Sequence, residues 1–268
     1  MKGKRKEIYS HEYTKPYFLS RELEGYEEFK KGELSLIKTK IFNMLDIKKG
    51  TSVLDVGFGR GELLLHCSKA GAQVTGIDYS KDAYKIARNV LIGHDCDLIT
   101  ADARKLPFKS NSFDKIISND TIEHMNREDG IKMLKEMYRV LKPGGFMIVH
   151  TSPNSIFMNR IYPVIKHIIR FTNPHVFGML ENQRKSTKQN QFHVYEYNLF
   201  SLKSAVKEAG LNADVYIDKD VLRSCKSKYT KSLADSRVIK MTSFFNKYYL
   251  FRFFLGNDLY VKCRKDEL

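Results

Sequence analysis

Cysteine is scarce in this sequence and widely scattered. The four present, Cys67, Cys96, Cys225 and Cys263, include no CxxC pair. That spacing argues against a disulfide framework and a zinc site, and predicts reduced thiols in a cytoplasmic protein. No run approaches the roughly 18 apolar residues of a membrane-spanning helix. The basic start, MKGKRKEIYSHEYTKPYF, has no apolar core behind it, so no secretory signal is expected. The closing KDEL, Lys265 to Leu268, is an address only in a lumenal protein and is expected to be coincidental here. Internal repeats and low-complexity segments are also missing.

What is present is ordinary for a folded domain. Of 268 residues, 42% are hydrophobic and 29% charged, a globular balance. A chain of that length buries roughly 70–75% of its unfolded surface and needs no covalent staple. The formal charge of +15 admits nucleic acid, an anionic membrane surface or an acidic substrate as partner. Lysines are spread along the whole chain, so a well-solvated surface explains the charge equally well.

Between Thr51 and Ser152 short apolar runs alternate with amphipathic stretches, the pattern of repeated βα units. Strands are predicted at Ser52–Val56, Gln73–Ile77, Asp97–Thr100, Phe113–Ser118 and Phe146–Thr151. Helices are predicted at Gly61–Ala70, Lys81–Leu91 and Glu128–Leu141, the last stopped by KPGG at Lys142–Gly145. Right-handed crossovers wind such units into a doubly wound α/β sheet. Residues 1–47 form an aromatic-rich extension expected to be partly helical and to act as a lid. Residues 48–268 are read as one domain, with residues 153–197 inserted after the fifth strand as a substrate cap. A helix at Leu199–Ala209, a strand at Leu211–Ile217, the helical stretch RVIKMTSFFNKYYLFRFFL and a strand at Leu259–Cys263 complete the chain.

The most informative stretch is VLDVGFGRGELLLHCSKAGAQVTGIDYS, Val53 to Ser80. It places Gly57, Gly59 and Gly61 between a strand and a helix N-terminus, where glycine permits a tight turn and close ligand approach. The dinucleotide pattern GxGxxG fails, because the third glycine comes one residue early and Glu62 stands where glycine is wanted. An acid there would repel a pyrophosphate, which points to a ligand without phosphates. Asp55 is placed to meet an ammonium group, and Asp78 at the second strand's end to accept from two ribose hydroxyls. Asp102, after the third strand, is placed to accept from an adenine amino group. Ammonium, ribose and adenine without phosphate describe S-adenosylmethionine (SAM).

At these residues the sequence resembles the class I SAM-dependent methyltransferases, of the kind that act on small molecules and quinone precursors. LDVGFGRG looks like the family's glycine motif, although a small residue is commoner where Phe58 stands. GIDYS looks like its ribose-binding acid, ADARKLPF like its adenine loop, and FDKIISNDTIEHM and YRVLKPGGFMIV like its fourth and fifth strands. The likeness is close over Lys48–Ser152 and looser beyond. It implies a Rossmann-like, seven-stranded, mostly parallel sheet with an antiparallel last strand, and methyl transfer. On this resemblance the cofactor set is Asp55, Gly57, Gly59, Gly61, Asp78, Tyr79, Asp102, Ala103, Asn119 and Asp120.

Chemistry is expected at the fourth strand's carboxyl end, NDTIEHM. A helical turn from Asp120 would put Asp120, Glu123 and His124 on one face. His124 is then a candidate general base supported by Glu123; no metal ligand is assigned. Two alternatives stay open. The triplet could hold a divalent metal, as in relatives bearing Glu-x-x-Glu-His, although Asp120 replaces the first Glu; or it could simply cap a helix and line the pocket. Base-amine methylation is disfavoured by the absence of an Asn/Asp-Pro-Pro stretch, and cytosine C5 methylation by the absence of cysteine in HTSPN.

The insertion, Ile156 to Leu180, is basic and amphipathic, fitting a cap or a surface on anionic lipid, with Pro163 expected to interrupt any long helix. Tyr9, Tyr17, Tyr26 and Phe29 are expected in a lid over the cofactor. FFNKYYLFRFFL, Phe244 to Leu255, suits a buried helix better than a lipid contact. The reading is a SAM-dependent methyltransferase acting on an oxygen of a small molecule, glycan or lipid-linked intermediate, with peripheral membrane contact open. The alternatives are an RNA 2′-O-methyltransferase and a non-catalytic SAM-binding protein.

Overall fold

Residue alternation builds the central layer. In strand β1 (Ser52–Val56), Leu54 and Val56 enter one hydrophobic core and Val53 the other, so the strand is buried on both faces. The computed structural model describes residues 8–21, 23–172, 174, 177, 178, 180, 181, 192–218 and 256–267. Around β1 lie β2 (Gln73–Asp78), β3 (Cys96–Thr100), β4 (Phe113–Asn119), β5 (Leu141–Thr151), β6 (Ala213–Ile217) and β7 (Leu259–Arg264). They form a seven-stranded sheet in the order β3-β2-β1-β4-β5-β7-β6, in which β7 alone runs antiparallel to its neighbours. Strand order reverses between β1 and β4, and a crevice opens at the carboxyl ends there.

The helices cover both faces. Helices α3 (Leu36–Leu45), α4 (Glu62–Lys69) and α5 (Lys81–Val90) pack on the Val53 side; α6 (Arg127–Val140) and α8 (Leu199–Glu208) pack on the Leu54 side. Four of these starts are set by side-chain caps, α4 being the exception: Ser35, Ser80, Asn126 and Asn198 each accept from backbone N–H groups of the first turn. Two shorter helices, α1 (Lys15–Phe18) and α2 (Tyr26–Phe29), carry the extension toward the crevice.

Two expectations need correction. The α6 helix stops at Val140, before KPGG, and β5 begins at Leu141. The stop is made by Leu141 taking extended angles to pair with Phe113, so strand pairing precedes the proline. Pro163 does not interrupt the cap helix: a π-helical turn at Phe157–Ile161 leads straight into α7 (Tyr162–Thr172). The wider turn makes room for a ring that would otherwise meet the carbonyl four residues back. The stretch RVIKMTSFFNKYYLFRFFL, Cys225 and Leu268 lie outside the described residues.

Leu54 is fully buried. Leu54→Ala is expected to lower stability by about 2–5 kcal/mol, read from the urea midpoint with an unchanged slope.

Candidate functional site

The site begins where β1 ends. The N–H groups of Gly57 and Phe58 both donate to the Ile77 carbonyl, at 2.8 and 3.2 Å, tying the glycine turn to the end of β2. Gly57 has φ +82°, and a Cβ there would lie 2.2 Å from Thr121 Oγ1. Only glycine lets the loop after β4 close over the turn. Phe58, the residue that departs from the family pattern, is buried against Gly76. A Cβ at Gly76 would meet its ring at 2.7 Å, so the bulk of one residue fills the room left by the other.

Asp78 is held from both sides: Gly59 N–H donates to Oδ2 at 2.9 Å and Ser80 N–H to Oδ1 at 2.8 Å. Burial pushes its pKa up to about 6 against these bonds. Asp55, buried one strand away, is pushed up to about 8 by burial and by the charge of Asp78. Neither makes an ion pair among the described residues, and both line one cavity. Gly57, Gly59, Tyr79, Asp102, Ala103, Asn119, Asp120, Thr121 and His124 also line it. Gly61 does not; it starts α4 and abuts Ala87. The Asn119 Oδ1 atom is buried without a hydrogen-bond partner among the described residues. Two buried carboxyl groups with elevated pKa values and an unmatched amide oxygen form an acceptor-rich cavity, suited to a cationic ligand with several donors.

Glu62 behaves differently from the expectation. Its carboxylate does not confront a ligand as a bare charge. It lies between Lys38 Nζ at 2.8 Å and Arg60, whose Nη2 is 2.7 Å away. Burial raises its pKa, but the charges of Lys38 and Arg60 outweigh this and hold it below the usual range. The argument against phosphate thus rests on Asp55 and Asp78. Asp102 is likewise engaged: Arg104 grips it through Nε and Nη2 and reaches Asp129 through Nη1 at 2.9 Å.

The Asp120–Glu123–His124 triplet does not share one helical face. Asp120 takes φ +50°, and the short 3-10 turn starts only at Ile122. Asp120 consequently takes a partner of its own, while Glu123 and His124 stay close to each other. Asp120 Oδ1 pairs with His150 Nδ1 at 3.1 Å, and His150 Nε2 lies 3.4 Å from Asp258. Burial lowers the His150 pKa, but Asp120's charge outweighs it and holds the ring protonated well above its ordinary value. Glu123, which does not line the cavity, sits behind it and accepts from Thr151 Oγ1 at 2.8 Å; burial drives its pKa up. His124 faces the cavity, and burial lowers its pKa. Its Nδ1 lies 2.8 Å from the Phe192 carbonyl. A carbonyl only accepts, so Nδ1 carries the proton and Nε2 is left as the basic nitrogen. His124, Glu123 and His193 also bring ligand atoms within 4.8 Å of one another, a set able to hold a divalent cation.

Of the four aromatic residues expected in a lid, only Tyr17 lines the cavity. Tyr9 stacks on His11, Tyr26 lies under Lys30 and Phe29 under Arg60. Tyr13 and Phe18 take their place, because α1 turns inward; Lys15 N–H and Ser80 Oγ pin it through Asp82 and the Tyr13 carbonyl. Tyr13, Tyr17 and Phe192 form an aromatic wall beside His124, with Tyr17 and Phe192 centroids 4.5 Å apart. His150 and Asp258 were not anticipated. The signal for His150 was a lone histidine in the apolar run FMIVHT; Asp258, 108 residues further along, had no local signal.

Residues 54–149 match the model of a family described as a methyltransferase domain. A ubiquinone/menaquinone biosynthesis C-methyltransferase of Desulfotalea psychrophila is 37% identical over 46% of this chain and 49% of its own length. A demethylmenaquinone methyltransferase of Staphylococcus aureus is 33% identical over 53% and 59%. The chain therefore spans about half the length of the curated relatives it matches. Among solved structures, a Haloferax volcanii methyltransferase in complex with its Trm112 activator aligns with TM-score 0.57 at 17% identity, covering 85% and 88%. A Haemonchus contortus phosphoethanolamine N-methyltransferase in complex with SAM aligns with TM-score 0.57 at 20% identity, covering 94% and 56%. Residues 54–149 thus match a methyltransferase domain, and the sheet around them has the fold of solved methyltransferases.

Two measurements probe the acid pair. Asp78→Ala is expected to weaken SAM binding about tenfold or more by calorimetry, a loss of about 1.4 kcal/mol. Asp55 has a folded-state pKa raised to about 8, so folding holds its proton and its ionisation destabilises the fold as pH rises from about 4 to 8. Asp55→Asn removes that titration, so its Tm relative to wild type is expected to climb as pH rises from 5 to 8.

Proposed function

We propose that this chain, whose residues 54–149 match a methyltransferase domain, is a class I SAM-dependent methyltransferase that moves the methyl group of SAM to a hydroxyl oxygen of a small-molecule acceptor. The observation that carries this is His124: a half-buried imidazole facing the cavity, its pKa lowered by desolvation and its tautomer set by the Phe192 carbonyl so that Nε2 can accept a proton. Bound SAM supplies an electrophilic methyl group on a sulfonium. The glycine turn, Asp55, Asp78, Tyr79, Asp102, Ala103, Asn119 and Asp120 would hold it, with Asp55 and Asp78 offering acceptors to an ammonium and to ribose hydroxyls.

The protein's own work is then positioning, water exclusion and proton removal. Tyr13, Tyr17 and Phe192 wall the space beside His124 and favour a flat, ring-bearing acceptor. His124 takes the hydroxyl proton through Nε2 as the nucleophile attacks. Glu123 sits behind this ring, its backbone carbonyl accepting from Val194 and Tyr195 N–H, so the 192–197 strap is fastened across the site. Free thiols at Cys67, Cys96 and Cys263 support a reducing, cytoplasmic setting.

A second reading is favoured by the relatives, one of which is a C-methyltransferase by description. Removing a phenolic proton also makes the neighbouring ring carbon nucleophilic, so the same His124 step serves carbon methylation of a quinone precursor. Product NMR separates the two, since an oxygen-bound and a ring-bound methyl resonate differently. His124→Gln is expected to lower kcat by about 100-fold or more while leaving SAM binding intact. An unchanged rate, or an unchanged pH profile, would remove His124 from the chemistry.

A further inference from the structure

Helix α7 carries a surface that methyl transfer does not use. Its inner side packs Tyr162, Ile165 and Ile169 against Phe157 and Met158 of the preceding turn in a small apolar cluster. On the other side, Val164, Ile168 and Phe171 are 75%, 64% and 86% exposed. Spacings of four and three residues align them in one stripe along the helix. A contiguous exposed apolar stripe of this kind marks a contact surface.

The charge around the stripe identifies what it contacts. Arg160, one turn before Val164, is exposed, Arg170 beside Phe171 is exposed, and Lys166 is partly exposed. No Asp or Glu occurs between Glu136 and Glu181, so this segment brings no acid of its own to neutralise them. A second copy of a chain carrying +15 would present the same cations and be repelled. An anionic bilayer offers both halves of the match: headgroups for the cations and the acyl boundary for the stripe.

We propose that α7 docks this protein on the surface of anionic membranes, lying in the interface with Val164, Ile168 and Phe171 inserted. The cap leaves β5 at Thr151, at the same carboxyl edge where Asp120 and His124 line the cavity. Docking there brings the acceptor side of the molecule to the lipid, from which a membrane-dissolved acceptor can be taken. The docking itself does not depend on the methyl-transfer reading and is measured without turnover.

The test is co-sedimentation of the full chain with phosphatidylcholine vesicles, with and without phosphatidylglycerol. Wild type is expected to bind the phosphatidylglycerol vesicles and to release from them in high salt. The triple variant Val164→Ser, Ile168→Ser, Phe171→Ser is expected to lose binding at least about tenfold, with circular dichroism and SAM binding unchanged. The pair Arg160→Gln, Arg170→Gln is expected to lose the preference for phosphatidylglycerol. Wild type that ignores both vesicles overturns the proposal, as does a folded triple variant that binds like wild type. Light scattering that finds a wild-type dimer split by the triple variant, with no vesicle binding, would make the stripe an interface between copies and equally end it.

Discussion

Burying carboxyl groups at the carboxyl ends of the sheet's parallel strands is the constraint on which the rest of this structure depends. Asp55, Asp78 and Glu123, buried, and Asp120, partly buried, all sit within the reach of β1, β2, β4 and the turns that follow them. Each would be expensive to ionise there alone. The protein meets that cost in three different ways. Asp78 accepts two backbone N–H bonds from the glycine turn and from the start of α5. Asp120 is matched by a buried, protonated His150, itself backed by Asp258. Asp55 and Glu123 are left with raised pKa values.

The glycine turn looks different in this light. Its role is steric and electrostatic at once, because the same bend that admits Thr121 above Gly57 also aims Gly59 N–H at Asp78. Glu62, at the start of α4, is neutralised from the extension by Lys38 and from its own turn by Arg60. The extension is thus part of the site's charge balance as well as its wall. Arg60 adds a further tie by donating through Nη2 to the Glu24 carbonyl at 2.6 Å.

In the proposed reaction, His124 and the residues around it divide into a proton acceptor and its supports. The imidazole faces the cavity, and its tautomer is set by a carbonyl contributed from the cap. Glu123 and Thr151 stand behind it, and the 192–197 strap is fastened by backbone bonds to Glu123. Site and cap are therefore mechanically coupled. The strap thus sets, through the Phe192 carbonyl, which nitrogen of His124 carries the proton.

Much of the fold was legible locally. Alternating apolar residues in Ser52–Val56 and the glycine-and-acid spacing of Val53–Ser80 depend on near neighbours, and sequence alone determined these strands, the turn between them and the position of the acids. What it could not determine depended on distant residues. The left-handed turn at Asp120 breaks the helical spacing that would have grouped Asp120, Glu123 and His124. His150 and Asp258 meet only because β7 returns antiparallel beside β5. Tyr13 rather than Tyr9 lines the cavity because α1 is pinned by Ser80 and Asp82. Periodicity reports which face of one element is buried. Which charge faces which across two strands is decided by packing, and only the tertiary structure contains it.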